Sequence, residues 1–217
     1  MSIIFGIVII LVMLFLYFNS ANFIKPPLIS LPSTSDEEEI EYKNKYKITD
    51  VIVTKDNALE VIASLERPLE YTYTLNKSVF AFSQVKQKNS VVFASNDSIK
   101  VLSDDKDTLV NGEFVYIMSQ NSVETFNKSD FSNDEILGIP TYEDISNVSS
   151  AQIVEENSKK FIQIIDNTDN IVKEYYINLT NGMLTKYIVR EDDVIINEII
   201  VENIIIEEQD PNIFLMI

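Results

Sequence analysis

Leu69-Glu70-Tyr71-Thr72-Tyr73-Thr74-Leu75 is where the hydrophobic period of this chain changes. Apolar and polar residues alternate strictly through it, so Leu69, Tyr71, Tyr73 and Leu75 fall on one face of a half-buried strand. Immediately upstream the pattern is helical. Asn57 is placed to cap, Glu60 stands three residues later as a capping-box partner, and Pro68 ends the run. The spacing predicts a helix over Ala58–Arg67 that lays Leu59, Ile62 and Leu65 on a sheet. Ile48–Val53 (ITDVIV) reads as a short β-prone stretch before it.

Downstream, short β-rich runs recur at Ser78–Val85, Ser90–Ala94, Ser98–Leu102, Glu113–Ser119 and Val123–Phe126, separated by Asn, Asp, Ser or Gly clusters. Asn111-Gly112 between Leu109-Val110 and Phe114-Val115-Tyr116 is a hairpin signal, because both turn positions need positive φ. Such spacing means an antiparallel meander, not βαβ units. Around Asn133–Asn147 two short helical turns, split by Gly138 and Pro140, interrupt it. Strands then resume at Ser149–Glu155, Lys160–Asp166, Ile171–Leu179, Leu184–Arg190 and Val194–Glu208, with Asn181-Gly182 as a second hairpin turn. The last run is long and dense in Ile and Val, which fits a central strand or two strands bent near Asn203.

At the other end, Ile3–Phe18 (IIFGIVIILVMLFLYF) carries no charge and no amide. With Asn19–Ile24 added it is long enough as a helix to cross a ~30 Å hydrocarbon layer. A cleaved signal peptide would need small residues at −3 and −1, and a cut after Ser20 or Ala21 places Phe18 or Asn19 at −3. Residues 1–24 are therefore expected to remain as a single-span membrane anchor, removal as a signal peptide being the alternative. The positive-inside rule is close to a tie, with Lys25 facing the terminal amine. The acidic flank (Asp36, Glu37, Glu38, Glu39, Glu41) and the absence of cysteine place the remainder outside the cytoplasm. Residues 25–45, with Pro26, Pro27 and Pro32 among serines and acids, read as an extended linker, leaving 46–217 as one extracytoplasmic domain. The composition, rich in Ile, Asn, Lys and Glu, is that of low-GC Gram-positive bacteria.

The chain of 217 residues carries a net charge of −17 and has no His and no Cys. That removes Ser-His-Asp and Cys-His nucleophiles, ordinary zinc sites and redox thiols. Four glycines, at 6, 112, 138 and 182, cannot build a Rossmann fingerprint or a P-loop. The acidic balance argues against nucleic-acid binding. Ser103-Asp104-Asp105-Lys106-Asp107 and Asp166-Asn167-Thr168-Asp169-Asn170 are carboxylate-rich, but neither has glycine at the sharp-turn position of a calcium loop, and both read as solvated turns. No catalytic residue, metal or cofactor is expected. The candidate ligand contacts are aromatic. Tyr71, Tyr73, Phe80 and Phe82 are expected to line one surface, a groove of at least ~300 Å³ if it holds a small molecule; the alternative is that they pack a sheet against helices.

The order of elements resembles a known family. Asn57-Ala-Leu-Glu-Val-Ile-Ala-Ser-Leu-Glu-Arg-Pro-Leu-Glu-Tyr-Thr-Tyr-Thr opens the meander. Tyr175-Tyr-Ile-Asn-Leu-Thr-Asn-Gly-Met-Leu-Thr-Lys-Tyr-Ile-Val, Glu198-Ile-Ile-Val-Glu-Asn-Ile and Asp210-Pro-Asn-Ile-Phe214 close it. In these segments the chain is similar to the lipoprotein-carrier superfamily of LolA, LppX and RseB. The resemblance implies a mainly β (α+β) fold, a curved antiparallel half-barrel around short helices whose concave face holds an acyl chain or a protein segment. It implies no catalytic residues. Together with the anchor read from residues 1–24, two functions are expected: a non-catalytic, membrane-anchored extracytoplasmic module holding an apolar ligand (a lipid or acyl chain) or a protein segment in the half-barrel, or an accessory subunit of a cell-envelope enzyme or sensor, as the resemblance to GerS-type partners of cortex amidases in spore formers implies. The lipidation cysteine of carrier lipoproteins is absent here.

Overall fold

The computed structural model describes residues 52–81, 84–96 and 98–215. The apolar run Ile3–Phe18, the 25–45 linker and Ile48–Val51 lie outside them, as does Phe82. Among the described residues no helix is long and apolar enough to cross a membrane.

Eleven antiparallel strands form one open sheet, and helices are few, as the meander pattern predicts. The strands are β1 (Glu70–Ala81), β2 (Gln84–Ser95), β3 (Ser98–Ser103), β4 (Asp107–Asn111), β5 (Phe114–Ser119), β6 (Ser122–Asn127), β7 (Ser150–Glu156), β8 (Lys159–Thr168), β9 (Ile171–Asn178), β10 (Leu184–Glu191) and β11 (Val194–Ile205). Their order is β6-β5-β4-β3-β2-β1-β11-β10-β9-β8-β7. Two meanders thus meet at a seam where the first strand pairs with the last. Gly112 (φ 57°) and Gly182 (φ 64°) take the left-handed conformation that their hairpins require. The bend foreseen at Asn203 is a bulge: Asn203 has φ 53°, and the β1–β11 register slips between Thr72 and Thr74.

Register defines two faces. Tyr71, Tyr73 and Leu75 of β1 lie opposite Ala94, Val92 and Ser90 of β2, and Leu75 lies opposite Val201 of β11. This inner face carries the apolar core and the two α-helices of the described residues. The first helix, α1 (Ala58–Ser64), buries Ala58 and Ile62 and is followed by buried Leu65; these pack with Ile162, Ile164, Tyr175 and Ile177. The second, α2 (Asn133–Leu137), sets Ile136 against Val110 and Val115, while Leu137 and Ile139 join Tyr73, Leu75, Val92 and Ile199. Two helical turns do split at Gly138 and Pro140, and both start the same way. The Glu135 carboxylate accepts from the N–H and hydroxyl of Ser132, each at 2.8 Å, and Asp144 does likewise for Thr141.

Several expectations are corrected. The first helix stops at Ser64, three residues early, because Leu65 is already extended (ψ 132°) ahead of Pro68. Leu59 is 40 % exposed and does not pack on the sheet, since the buried stripe is Ala58–Ile62–Leu65. Asn57 forms no side-chain cap and Glu60 no capping box; the Asn57 amide instead turns back to the Thr54 N–H (2.7 Å) and the Ile52 carbonyl (2.9 Å). Leu69 precedes the strand and is exposed. Ser78–Val85 is not one strand but the end of β1 and the start of β2, paired Ala81 to Gln84. No Gly, Pro or Asn marks that reversal.

On the outer face a row of polar side chains cross-links β7 to β10. Gln152 donates to Gln163, Gln163 to the Tyr176 hydroxyl, and Tyr176 to Glu174, which also accepts from Arg190 Nε at 2.7 Å. Burial pushes the Glu174 carboxyl up, but the bonds from Arg190, Tyr176 and Gln163 outweigh it and hold the group below its usual range. Burial, then the Glu174 contact, pushes the Tyr176 hydroxyl up to about 12. A depressed carboxyl pKa stabilises the fold above the unfolded value of ~4.3 and loses that contribution as pH falls through the folded value. Glu174→Gln is therefore expected to lower stability by about 1 kcal/mol at pH 7, part of the pair's strength being screened at the partly exposed Arg190. The gap should close in acid. Urea melts at both pH values check this; an equal loss at both would refute the ion-pair contribution.

The C-terminal segment crosses this outer face. Glu70 accepts from Gln209 N–H (2.9 Å), Thr72 bonds the Gln209 side chain (2.8 Å), and Lys100 donates to the Ile213 carbonyl (2.8 Å). Phe214 is buried at its end.

Candidate functional site

On the inner face a cavity of about 260 Å³ lies between the sheet and the α2 segment. Its floor is Tyr71 and Tyr73, with rings stacked at 5.7 Å and 11°. Leu137, Ile139 and Pro140 form its roof, and Met183 and Leu184 of the β9–β10 hairpin its side. Alternation on β1 puts the two tyrosines together. The left-handed Gly138 (φ 75°), whose N–H closes on the Asp134 carbonyl at 2.8 Å, ends α2 so that Ile139 and Pro140 turn back over them.

Arg67 and Tyr142 form the polar rim. The Arg67 guanidinium lies 3.6 Å over the Tyr142 ring and donates to the Ile62 (2.7 Å) and Leu65 (3.2 Å) carbonyls. One side chain thus bonds two carbonyls at the C-terminal end of α1 and borders the cavity. Burial lowers the Arg67 pKa against the opposing pull of Tyr142 and Glu143. A Cβ on Gly182 would lie 3.0 Å from Arg67 Cγ and 3.1 Å from Leu65 Cβ, so only glycine lets the hairpin approach the rim this closely.

The four aromatics singled out in the sequence separate. Tyr71 and Tyr73 line the cavity. Phe80 does not share their surface, because β1 pairs with β2 without a register break and an even-numbered residue points to the outer face. Phe82 lies outside the described residues. Tyr73 is 4 % exposed and packs with Leu75, Val92 and Ile199, so it is core and cavity wall at once. Burial, and then Tyr71, push its hydroxyl far above the usual range. Sequence reasoning missed Arg67, Tyr142 and Met183; the Arg-Pro pair ending a helix was visible, but its partner lies 75 residues away.

Among the described residues no three metal-ligating side chains converge. Asp166 is not a solvated turn residue: it is buried and accepts from Asn147 and Thr168, each at 3.0 Å.

No protein-family model matches the chain, and no curated protein matches it. Solved structures overlap it partially. A LolA superfamily protein from Nitrosomonas europaea matches at 9 % identity, covering 76 % of this chain and 98 % of that one, with a TM-score of 0.42. PNGF-II matches at 7 % identity over 68 % of this chain and 30 % of that one, with a TM-score of 0.41. A domain described as an outer-membrane lipoprotein-sorting protein from Vibrio parahaemolyticus matches at 11 % identity, 74 % and 97 % coverage, and a TM-score of 0.38. With TM-scores below 0.5, none of these overlaps bears on what the cavity holds, which follows from its own walls.

Proposed function

We propose that this chain is a non-catalytic binding module, held at the outer side of a cell membrane by residues 1–24, whose inner-face cavity takes a single acyl chain or a similar apolar group. The observation that carries the reading is the apolar cavity under Leu137, Ile139 and Pro140, floored by the stacked Tyr71 and Tyr73. Its volume falls short of the ~300 Å³ expected of a small-molecule groove, so what it suits is a short apolar group or the end of an acyl chain and not a whole lipid. A photoactivatable fatty acid, added to membranes holding the full-length protein, is expected to label Leu137–Pro140 and Met183. Leu137→Trp should fill the cavity and cut that labelling by about tenfold with the circular dichroism unchanged. Labelling confined to Ile3–Phe18, or indifferent to the tryptophan, would overturn the reading.

A second reading, an accessory subunit of an envelope enzyme or sensor, draws on the sheet's open edge. Strand β6 has a strand on one side only, and Val123 on it and Phe114 on β5 are exposed. Loss of a co-purifying envelope protein on Val123→Lys, with fatty-acid labelling intact, would favour it.

A further inference from the structure

The inner face holds a second pocket beside the first, on the other side of Leu137. It encloses about 160 Å³, and Lys77, Lys88, Lys106, Ser90, Ser103 and Thr108 line it beneath Ile136–Gly138. Lys77 pairs directly with Lys88 across β1–β2, and Lys86 follows two residues away on the same face. Four ammonium groups thus gather at one corner of a chain whose net charge is −17. Such a concentration of like charge is unfavourable unless something offsets it.

The protein offsets little of it. Asp105 reaches Lys88 at 3.0 Å from an exposed turn, and Asp104 and Asp107 flank Lys106 in sequence, but Lys77, Lys86 and Lys106 form no ion pair among the described residues. Bonding to Lys88, and the charges of Lys88, Lys86 and Lys106, hold the Asp105 carboxyl below its usual range. Glu135 also borders the pocket and is held ionised by the Ser132 N–H and hydroxyl, so one negative charge faces the lysines from the α2 side. Ser90 is 8 % exposed, so a hydroxyl donor sits at the buried end of the lysine cluster.

We propose that this pocket binds a phosphomonoester-class oxyanion, either free or as the head of an amphiphile whose tail lies in the Tyr71–Tyr73 cavity. Lysines act as point charges that need no planar fork, and the ammonium groups with the Ser90 and Thr108 hydroxyls, from three strands and a turn, match a tetrahedral anion better than a flat carboxylate, the Ser103 hydroxyl already donating to the Lys106 carbonyl. Only the amphiphile form rests on the apolar-cavity reading.

Calorimetry on the full-length protein in phosphatidylcholine nanodiscs tests it, with inorganic phosphate, octyl phosphate and octanol as probes. Octyl phosphate should bind, and Lys77→Met/Lys88→Met should weaken it by about tenfold or more while Lys159→Met does not. Inorganic phosphate binding about as tightly as octyl phosphate assigns a free anion; much weaker binding assigns the amphiphile. If the double variant fails to fold, Lys106→Met on its exposed turn should still weaken binding measurably and reduce its salt dependence. Absence of both phosphate probes, or binding indifferent to these lysines, would overturn the proposal. Phosphate binding with no octanol binding would leave this site standing and remove the apolar-cavity reading.

Discussion

Tyr73→Glu is expected to unfold the domain, whether or not a ligand is present. Tyr73 stacks on Tyr71 and packs with Leu75, Val92 and Ile199 while only 4 % exposed. Removing a buried aromatic ring costs ~3–5 kcal/mol, and a carboxyl placed there without a partner adds a desolvation penalty. Together these consume most of the ~5–15 kcal/mol that holds a typical domain. Tyr73→Phe, which keeps the ring, should change stability by less than ~1.5 kcal/mol. Urea unfolding of both variants checks the pair. A folded Tyr73→Glu that merely lost ligand would show that this ring faces an open groove and that the core assignment is wrong.

Ile62→Ala should cost roughly 2–5 kcal/mol. Ile62 is fully buried, and it is the residue through which α1 reaches the β8–β9 wing. Because α1 is only seven residues long, its own hydrogen bonds cannot hold it in place and the packing of this side chain must. The loss should spread to the cavity rim, since Arg67 donates to the Ile62 carbonyl. Leu59→Ala on the same helix should change stability by less than ~0.5 kcal/mol, because that side is exposed. A small effect at Ile62 or a large one at Leu59 would reverse the assigned face.

The meander was legible because alternation and Asn-Gly turns are local signals. Asn111-Gly112 and Asn181-Gly182 placed two hairpins, Gly138 and Pro140 placed the helical interruption, and Asn203 placed the bulge. The hairpin joining β1 to β2 carries no such residues, so Ser78–Val85 looked continuous and Phe80 was assigned to the wrong surface: it stands seven positions along an unbroken strand from Tyr73, an odd offset. The two pockets were less legible still. Arg67 meets Tyr142, and Lys88 meets Lys106, only because the sheet brings distant segments together. The outer ladder from Gln152 to Arg190 draws on four strands, and composition shows only that its members are polar.

The pairing of first strand with last fixes when this domain becomes whole. Asn76 and Glu202, bonded across the seam, are 126 residues apart, so that junction has high contact order, whereas every other ladder joins strands adjacent in sequence. Each wing can zip up by itself; the seam must wait until the final strand has been made. Until then the nascent protein carries β1, a twelve-residue strand, as a bare edge able to template association with another copy. Synthesis of this domain therefore demands protection of that edge from the making of β1 until β11 has followed, and a premature stop anywhere before β11 leaves two halves that cannot close.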